Sequence, residues 1–144
     1  MTKHQCRENA YLILFEASLR DDTPEELYAI AEEVEEITVD DNVKKLVEGV
    51  LSHTEELDSI IASYSKKRAV SRIAKINLIL LRMAIFEIKY MPQTPVNVAV
   101  SEAINISQKY TYQDDTAFIN GVLGAYTRSL PAREEATSTV QEDA

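Results

Sequence analysis

Few side chains in this chain could do covalent chemistry, and none are spaced to do it together. His4 and His53 fall on different helical segments, Cys6 is the single cysteine, and no glycine-rich phosphate loop or Ser/His/Asp grouping occurs. No Cys/His spacing suits zinc, and one cysteine cannot close an internal disulfide. The acid pairs Glu25/Glu26 and Glu35/Glu36 are helix neighbours, so their carboxylates diverge instead of converging on a substrate. No enzyme, cofactor or metal site is expected. What remains is binding. In Phe118-Ile119-Asn120-Gly121-Val122-Leu123-Gly124, Ile119, Val122, Leu123 and then Tyr126 share a helical stripe with Phe118 at its edge. Phe118 is either a rim core residue or an exposed ring on which a nucleobase stacks for about 1–3 kcal/mol. Two glycines three apart in a helix are unfavourable, which predicts close approach of a neighbouring helix there.

Charges among apolar neighbours make a second group. Arg82, Glu87 and Glu102 must be paired and hydrogen-bonded if buried, which predicts an internal ion-pair network between the central helix and the one after it.

The elements that position these residues are helices. Residues 73–91 are apolar nearly all round, so this segment is predicted to be a central helix wrapped by others. Asn77, Arg82 and Glu87 interrupt every window of about 18–20 apolar residues that a bilayer span needs. Ahead of it, residues 3–20 carry the stripe Cys6, Ala10, Ile13, Leu14, Ala17, with Tyr11, Leu12 and Phe15 as surplus apolar area. That surplus is either buried between two halves of a bundle or meets a partner. Thr23-Pro24-Glu25-Glu26 predicts a reciprocal capping box and a short acidic outer helix with Leu27, Ile30, Ala31 and Val34 inward. Asp40 or Asp41 opens one long helix to about Ser65, in which Gly49 implies a close helix contact. A basic connection, with a short helical turn, leads into the central helix. Thr94-Pro95 starts the next helix, 96–110, and Asp114 or Asp115 caps the last, 116–130. The expected organisation is one all-α domain, 1–131, and an acidic, disordered tail, 132–144.

The net charge of −9 argues against nonspecific nucleic-acid binding, but the charge is segregated. Residues 21–41 hold ten acids and no base, and residues 66–89 hold seven bases against Glu87. A local basic surface and a solvated, internally paired one both fit that count. No secretory signal opens the chain, so a cytoplasmic protein is expected.

Three blocks in register carry a resemblance: Leu81-Arg82-Met83-Ala84-Ile85-Phe86-Glu87, then Pro95-Val96-x-Val98-Ala99-Val100-Ser101-Glu102-Ala103, then the Phe118–Gly124 block. With Arg7-Glu8-x-Ala10 ahead of them, they resemble the NusB family of transcription antitermination factors from about residue 3 to 130. The resemblance implies about seven helices in two packed sub-bundles and no catalysis. It implies pairing with a small-subunit ribosomal protein (NusE in this role) and binding of boxA RNA in ribosomal RNA transcripts, within the RNA polymerase antitermination complex. By match of position, Lys3, His4, Arg7, Tyr110, Gln113, Asp114, Thr116 and Phe118 are the implied RNA contacts, and Phe15 and Asn77 the implied partner contacts. Many relatives have an arginine-rich start and an acid at the position of Asn77; this chain has neither. Weak, salt-sensitive RNA binding, tightened by the partner, is therefore expected. Some NusB-like proteins also self-associate, so a homodimer is a further assembly to test. Two alternatives are a helical adaptor that ignores RNA, and the NusB-like domain found with ribosomal RNA methyltransferases.

Overall fold

The apolar segment at the centre of the sequence is also the centre of the molecule. In the computed structural model, which describes residues 1–131, α5 (Lys75–Tyr90) packs against α1 (Lys3–Leu19), α3 (Asp41–Ser52), α4 (Thr54–Tyr64), α6 (Val96–Tyr110) and α7 (Gln113–Arg128). Residues from Ile79 to Ile88 on α5 are buried with the exception of Arg82. Each fully buried aliphatic such as Leu81 or Ile85 contributes about 1.5–3 kcal/mol of transfer free energy. Around this axis α1 holds α2 (Pro24–Ala31) and α3, while α7 holds α4 and α6. The fold is all-α, in two groups of helices that share α5, with one 3₁₀ turn at Val70–Arg72 and no strand among the described residues. The acidic stretch 132–144 lies outside the described residues.

Side chains cap the starts of α1, α2 and α3. Thr23 and Glu26 form the predicted reciprocal cap, the Glu26 amide donating to Thr23 Oγ1 at 3.2 Å and the Thr23 amide to Glu26 Oε1 at 2.7 Å. Thr2 and Gln5 build the same motif on α1. Asp40 caps α3, its Oδ1 accepting from the Val43 amide at 2.9 Å. Thr94 does not cap α6: it is buried, and Pro95 takes the cap position without a side-chain hydrogen bond.

Several expectations need correction. The long helix predicted to run to Ser65 divides at His53, whose backbone leaves helical geometry. Its ring Nδ1 lies 2.7 Å from the Gly49 carbonyl, and the Thr54 hydroxyl donates to the Val50 carbonyl. Helix α2 stops at Ala31, so Val34 falls past its end and is exposed. Helix α7 begins at Gln113, three residues before the expected start, and Asp114 and Asp115 lie in its first turn. Gly49 does accept a close neighbour: a Cβ there would meet Phe86 Cζ at 2.1 Å. Gly121 and Gly124 do not. Among the described residues nothing lies within 4 Å of a Cβ at Gly121, and Gly124 meets only Arg128 of its own helix.

The ion pairs also differ from expectation. Arg82 and Glu87 leave α5 in different directions. Arg82 donates to Asp58 of α4 from Nε and Nη2 at 2.8 and 2.9 Å, whereas Glu87 is held by Arg7 of α1. All three predicted charges are paired, but the network closes through α1 and α4, not between α5 and α6 alone.

Candidate nucleic-acid interface

The start of α1 is fastened to α5 and α6 by charge. Arg7, only 7% exposed, donates from Nε to Glu87 Oε1 at 2.9 Å and from Nη2 to Glu87 Oε2 at 2.6 Å, with Nη1 3.6 Å from Glu102. Burial alone would lower the Arg7 pKa, but the hydrogen bonds and charge of Glu87 outweigh it and raise it. One turn earlier, His4 Nδ1 lies 2.6 Å from Glu102 Oε1. Glu8 gathers the end of α6: Lys109 Nζ is 2.6 Å away, and the Tyr110 hydroxyl donates to the same carboxylate. Burial pushes the Glu8 carboxyl up, yet the hydrogen bonds from Lys109 and Tyr110 hold it below its ordinary value. Burial, reinforced by Glu8, pushes the Tyr110 phenol up to about 12, and its ring centroid is 5.1 Å from that of Tyr11.

The corner between α6 and α7 is fastened by hydroxyls. Buried Ser107 Oγ lies 2.8 Å from the Thr111 hydroxyl and 2.7 Å from the Thr116 hydroxyl. From the other side, the Asn77 amide donates to Asp115 Oδ1 at 2.9 Å, while Asp115 Oδ2 accepts from the Tyr112 amide. These bonds fix the corner and leave its outer residues free. Gln113 and Asp114 are exposed, and Tyr112 is 84% exposed beside a shallow cleft lined by Gln108, Thr111, Tyr112, Gln113 and Thr116. Farther along α7, Phe118 is half-buried with the Arg68 guanidinium 4.5 Å from its ring centroid.

Aromatic faces beside amides and hydroxyls suit unstacked bases, and the nearby cations suit phosphates. No group of three or more His, Cys, Asp or Glu among the described residues is placed to hold a metal. No helix among them is long and apolar enough to cross a membrane.

The model of the NusB family matches residues 4–128. The chain belongs to the NusB family. Transcription antitermination protein NusB of Oceanobacillus iheyensis is 35% identical over 123 residues, 85% of this chain and 96% of that one. The NusB protein of Geotalea daltonii is 44% identical over 90 residues, a match that spans 62% of each chain. Among solved structures, the crystal structure of antitermination factors NusB and NusE in complex with dsRNA superposes with a TM-score of 0.78 at 27% identity, covering 89% of this chain and 97% of that one. Thermotoga maritima NusB superposes at 0.80 with 22% identity, over 94% and 97% of the two chains, a likeness of fold alone. The NusB family is non-enzymatic, and so is this member.

In this NusB-family chain the residues singled out from the sequence fall into three settings. Lys3 is exposed and His4 partly so at the end where α1 meets α6; Tyr110 is half-buried there, and Arg7 is turned inward. Gln113, Asp114, Thr116 and Phe118 follow one another along the first turns of α7. Phe15 is half-buried beside a cleft of about 260 Å³ between α1 and the α2 region, whereas Asn77 is buried, with its Oδ1 lacking a hydrogen-bond partner. Sequence reasoning missed Tyr112, the most exposed ring in the chain, and Lys109. The signal for Tyr112 was available: Ala103, Ile106 and Tyr110 continue the inner stripe of α6, and Tyr112 breaks it.

Proposed function

We propose that this chain is a transcription antitermination factor of the cytoplasm. It binds boxA RNA of ribosomal RNA transcripts together with the small-subunit ribosomal protein NusE, and so keeps RNA polymerase elongating. The observation that carries the RNA half is the half-exposed Phe118 on the first turns of α7, with a guanidinium 4.5 Å from its ring and the exposed polar corner before it. In this reading Phe118 and Tyr112 stack on bases, and Gln113, Asp114 and Thr116 meet base edges. Lys3, His4 and Lys109 face phosphates, and Tyr110 packs beside them. Arg7 serves as a positioning residue that keeps the start of α1 on α5 and α6. Phe15 belongs to the protein-facing surface, and Asn77, buried and hydrogen-bonded to Asp115, is proposed to act on the partner only by positioning the start of α7.

Two proteins on one RNA share an effective concentration, so the partner adds affinity without new contacts from this chain. The test is a titration of labelled boxA RNA with and without NusE at two salt concentrations. Weak binding alone, tighter binding with NusE, and a steep loss of affinity with salt are expected. Phe118→Ala lowers affinity with the fold intact. Equal affinity with and without NusE, or indifference to Phe118→Ala, would refute the reading, the latter in favour of an adaptor that ignores RNA.

A further inference from the structure

The connection between α4 and α5 takes no part in the corner described above, yet it holds the chain's densest run of cations. Between residues 59 and 86 there is no acid, while Lys66, Lys67, Arg68, Arg72, Lys75 and Arg82 all occur. Asp58 holds Arg82. The other five are exposed, and none forms an ion pair among the described residues. On a chain of net charge −9, where Arg7, Arg20, Lys89 and Lys109 all find carboxylates, five unpaired cations within ten residues repel one another and attract anions. The first turn of α5 adds to this: it carries Lys75, no acid and no side-chain cap.

Arg68 ties this run to the proposed RNA surface. Its guanidinium over the Phe118 ring places the connection beside α7. One turn along α7, Gly121 is exposed and has no neighbour within 4 Å of a would-be Cβ. A helix interior does not favour glycine, and no packing among the described residues accounts for it. Bare backbone beside a ring and a row of cations suits a strand lying close.

We propose that residues 66–75, with Phe118 and the bare turn at Gly121, form a second phosphate track. It carries single-stranded RNA onward from the α6–α7 corner, and so lengthens the RNA segment the protein holds. The proposal deepens the RNA reading above and rests on it. An aromatic face among the cations favours RNA over an acidic protein segment, because stacking and phosphate contact are then met on one surface.

The test compares the wild-type chain with a triple variant, Lys66→Gln, Lys67→Gln and Arg72→Gln, each in complex with NusE. These side chains are exposed and unpaired, so thermal unfolding should be unchanged and is measured as a control. Two labelled RNAs are titrated across a salt series: a boxA oligonucleotide, and the same oligonucleotide lengthened by about 8 unpaired nucleotides at either end, a length within single-strand site sizes. The wild type should bind the longer RNA more tightly and with a steeper salt slope. The variant should lose that gain, its slope falling by about 0.7 for each contact removed, while the short RNA binds almost as before. A variant that keeps both the gain and the slope overturns the track. So does one that binds both RNAs equally worse because it captures NusE poorly, which would make the connection a protein contact. A wild-type complex that binds neither RNA removes the underlying RNA reading, and the track with it.

Discussion

A phosphate approaching Arg7 would have to compete with two carboxylates that already hold it. The geometry therefore separates two roles that the basic start of α1 presents as one cluster. Replacing Arg7 with Ala leaves Glu87, 3% exposed, as an uncompensated buried charge, and breaking such a pair costs about 3–5 kcal/mol. Arg7→Ala should lower the midpoint of denaturant unfolding sharply, whereas Lys3→Gln should leave it in place and weaken only RNA binding. Nothing in the residue types of Lys3, His4 and Arg7 distinguishes them. The distinction lies in Glu87, eighty positions away in sequence, and only the packing of α1 on α5 brings it close. Glu8 gives a pH-dependent counterpart. Its folded-state pKa is lowered from 4.5, so the stability it contributes is present above that value and is lost as pH falls through the lower folded value. Unfolding curves of wild type and Glu8→Gln should differ at neutral pH and converge in acid below 4.5. A difference that stays constant across that range would mean the Lys109 and Tyr110 contacts do not depend on the carboxylate's charge. Tyr112 is the exposed ring of the α6–α7 corner. At 84% exposure its removal should leave stability unchanged and weaken RNA binding by about 1–3 kcal/mol, as read in the same titration that tests Phe118.

At the scale of elements, glycine shows how far local pattern reaches. Gly49 and Gly121 look alike in sequence, each a helix-interior glycine beside apolar residues, and the same reasoning predicts a close helix contact at both. Phe86 fills the space over Gly49 and nothing fills that over Gly121. Opposite outcomes follow for the same substitution. Gly49→Ala should destabilise by about 1–3 kcal/mol, because the Phe86 ring must move out of a packed site and this exceeds the gain in helix propensity. Gly121→Ala should stabilise by about 0.5–1 kcal/mol. Denaturant unfolding measures both. If a strand lies on that bare turn, Gly121→Ala also weakens RNA binding while it strengthens the fold, a pairing that general damage cannot produce. The break at His53 was hidden for a different reason. Val50 on α3 and Leu57 on α4 are seven residues apart, the spacing of a continuous helical stripe, so the apolar pattern stays in register across the bend. No proline or glycine marks it. Capping chemistry was legible at Thr23, where hydroxyl, proline and acid agree, but not at Thr94, which has the same Thr-Pro start and is buried instead.

For the whole molecule, what the sequence made plain was the architecture: one helix apolar on nearly every face requires others around it, and α5 contacts five helices. The site was less plain, because charge and aromatic residues are counted along the chain but act across it. The segregation of charge was visible and has a consequence for rate. The ten acids of residues 21–41 run from the turn before α2 to the start of α3, with Glu25, Glu26, Glu32, Glu33, Glu35 and Glu36 exposed. Their field repels an approaching polyanion, and the unpaired cations of residues 66–75 attract it. Encounter should therefore be steered toward the α5 and α7 side. Neutralising Glu32, Glu33, Glu35 and Glu36 to Gln removes four repelling charges without touching any ion pair among the described residues. Stopped-flow association with boxA RNA should then be faster at low salt, with the dissociation rate unchanged. Because the screening length falls from about 10 Å at 0.1 M salt to about 3 Å at 1 M, the acceleration should vanish at high salt. An acceleration that survives high salt would place the acids in contact with the RNA or its path, and would show that distance does not protect the interface from them.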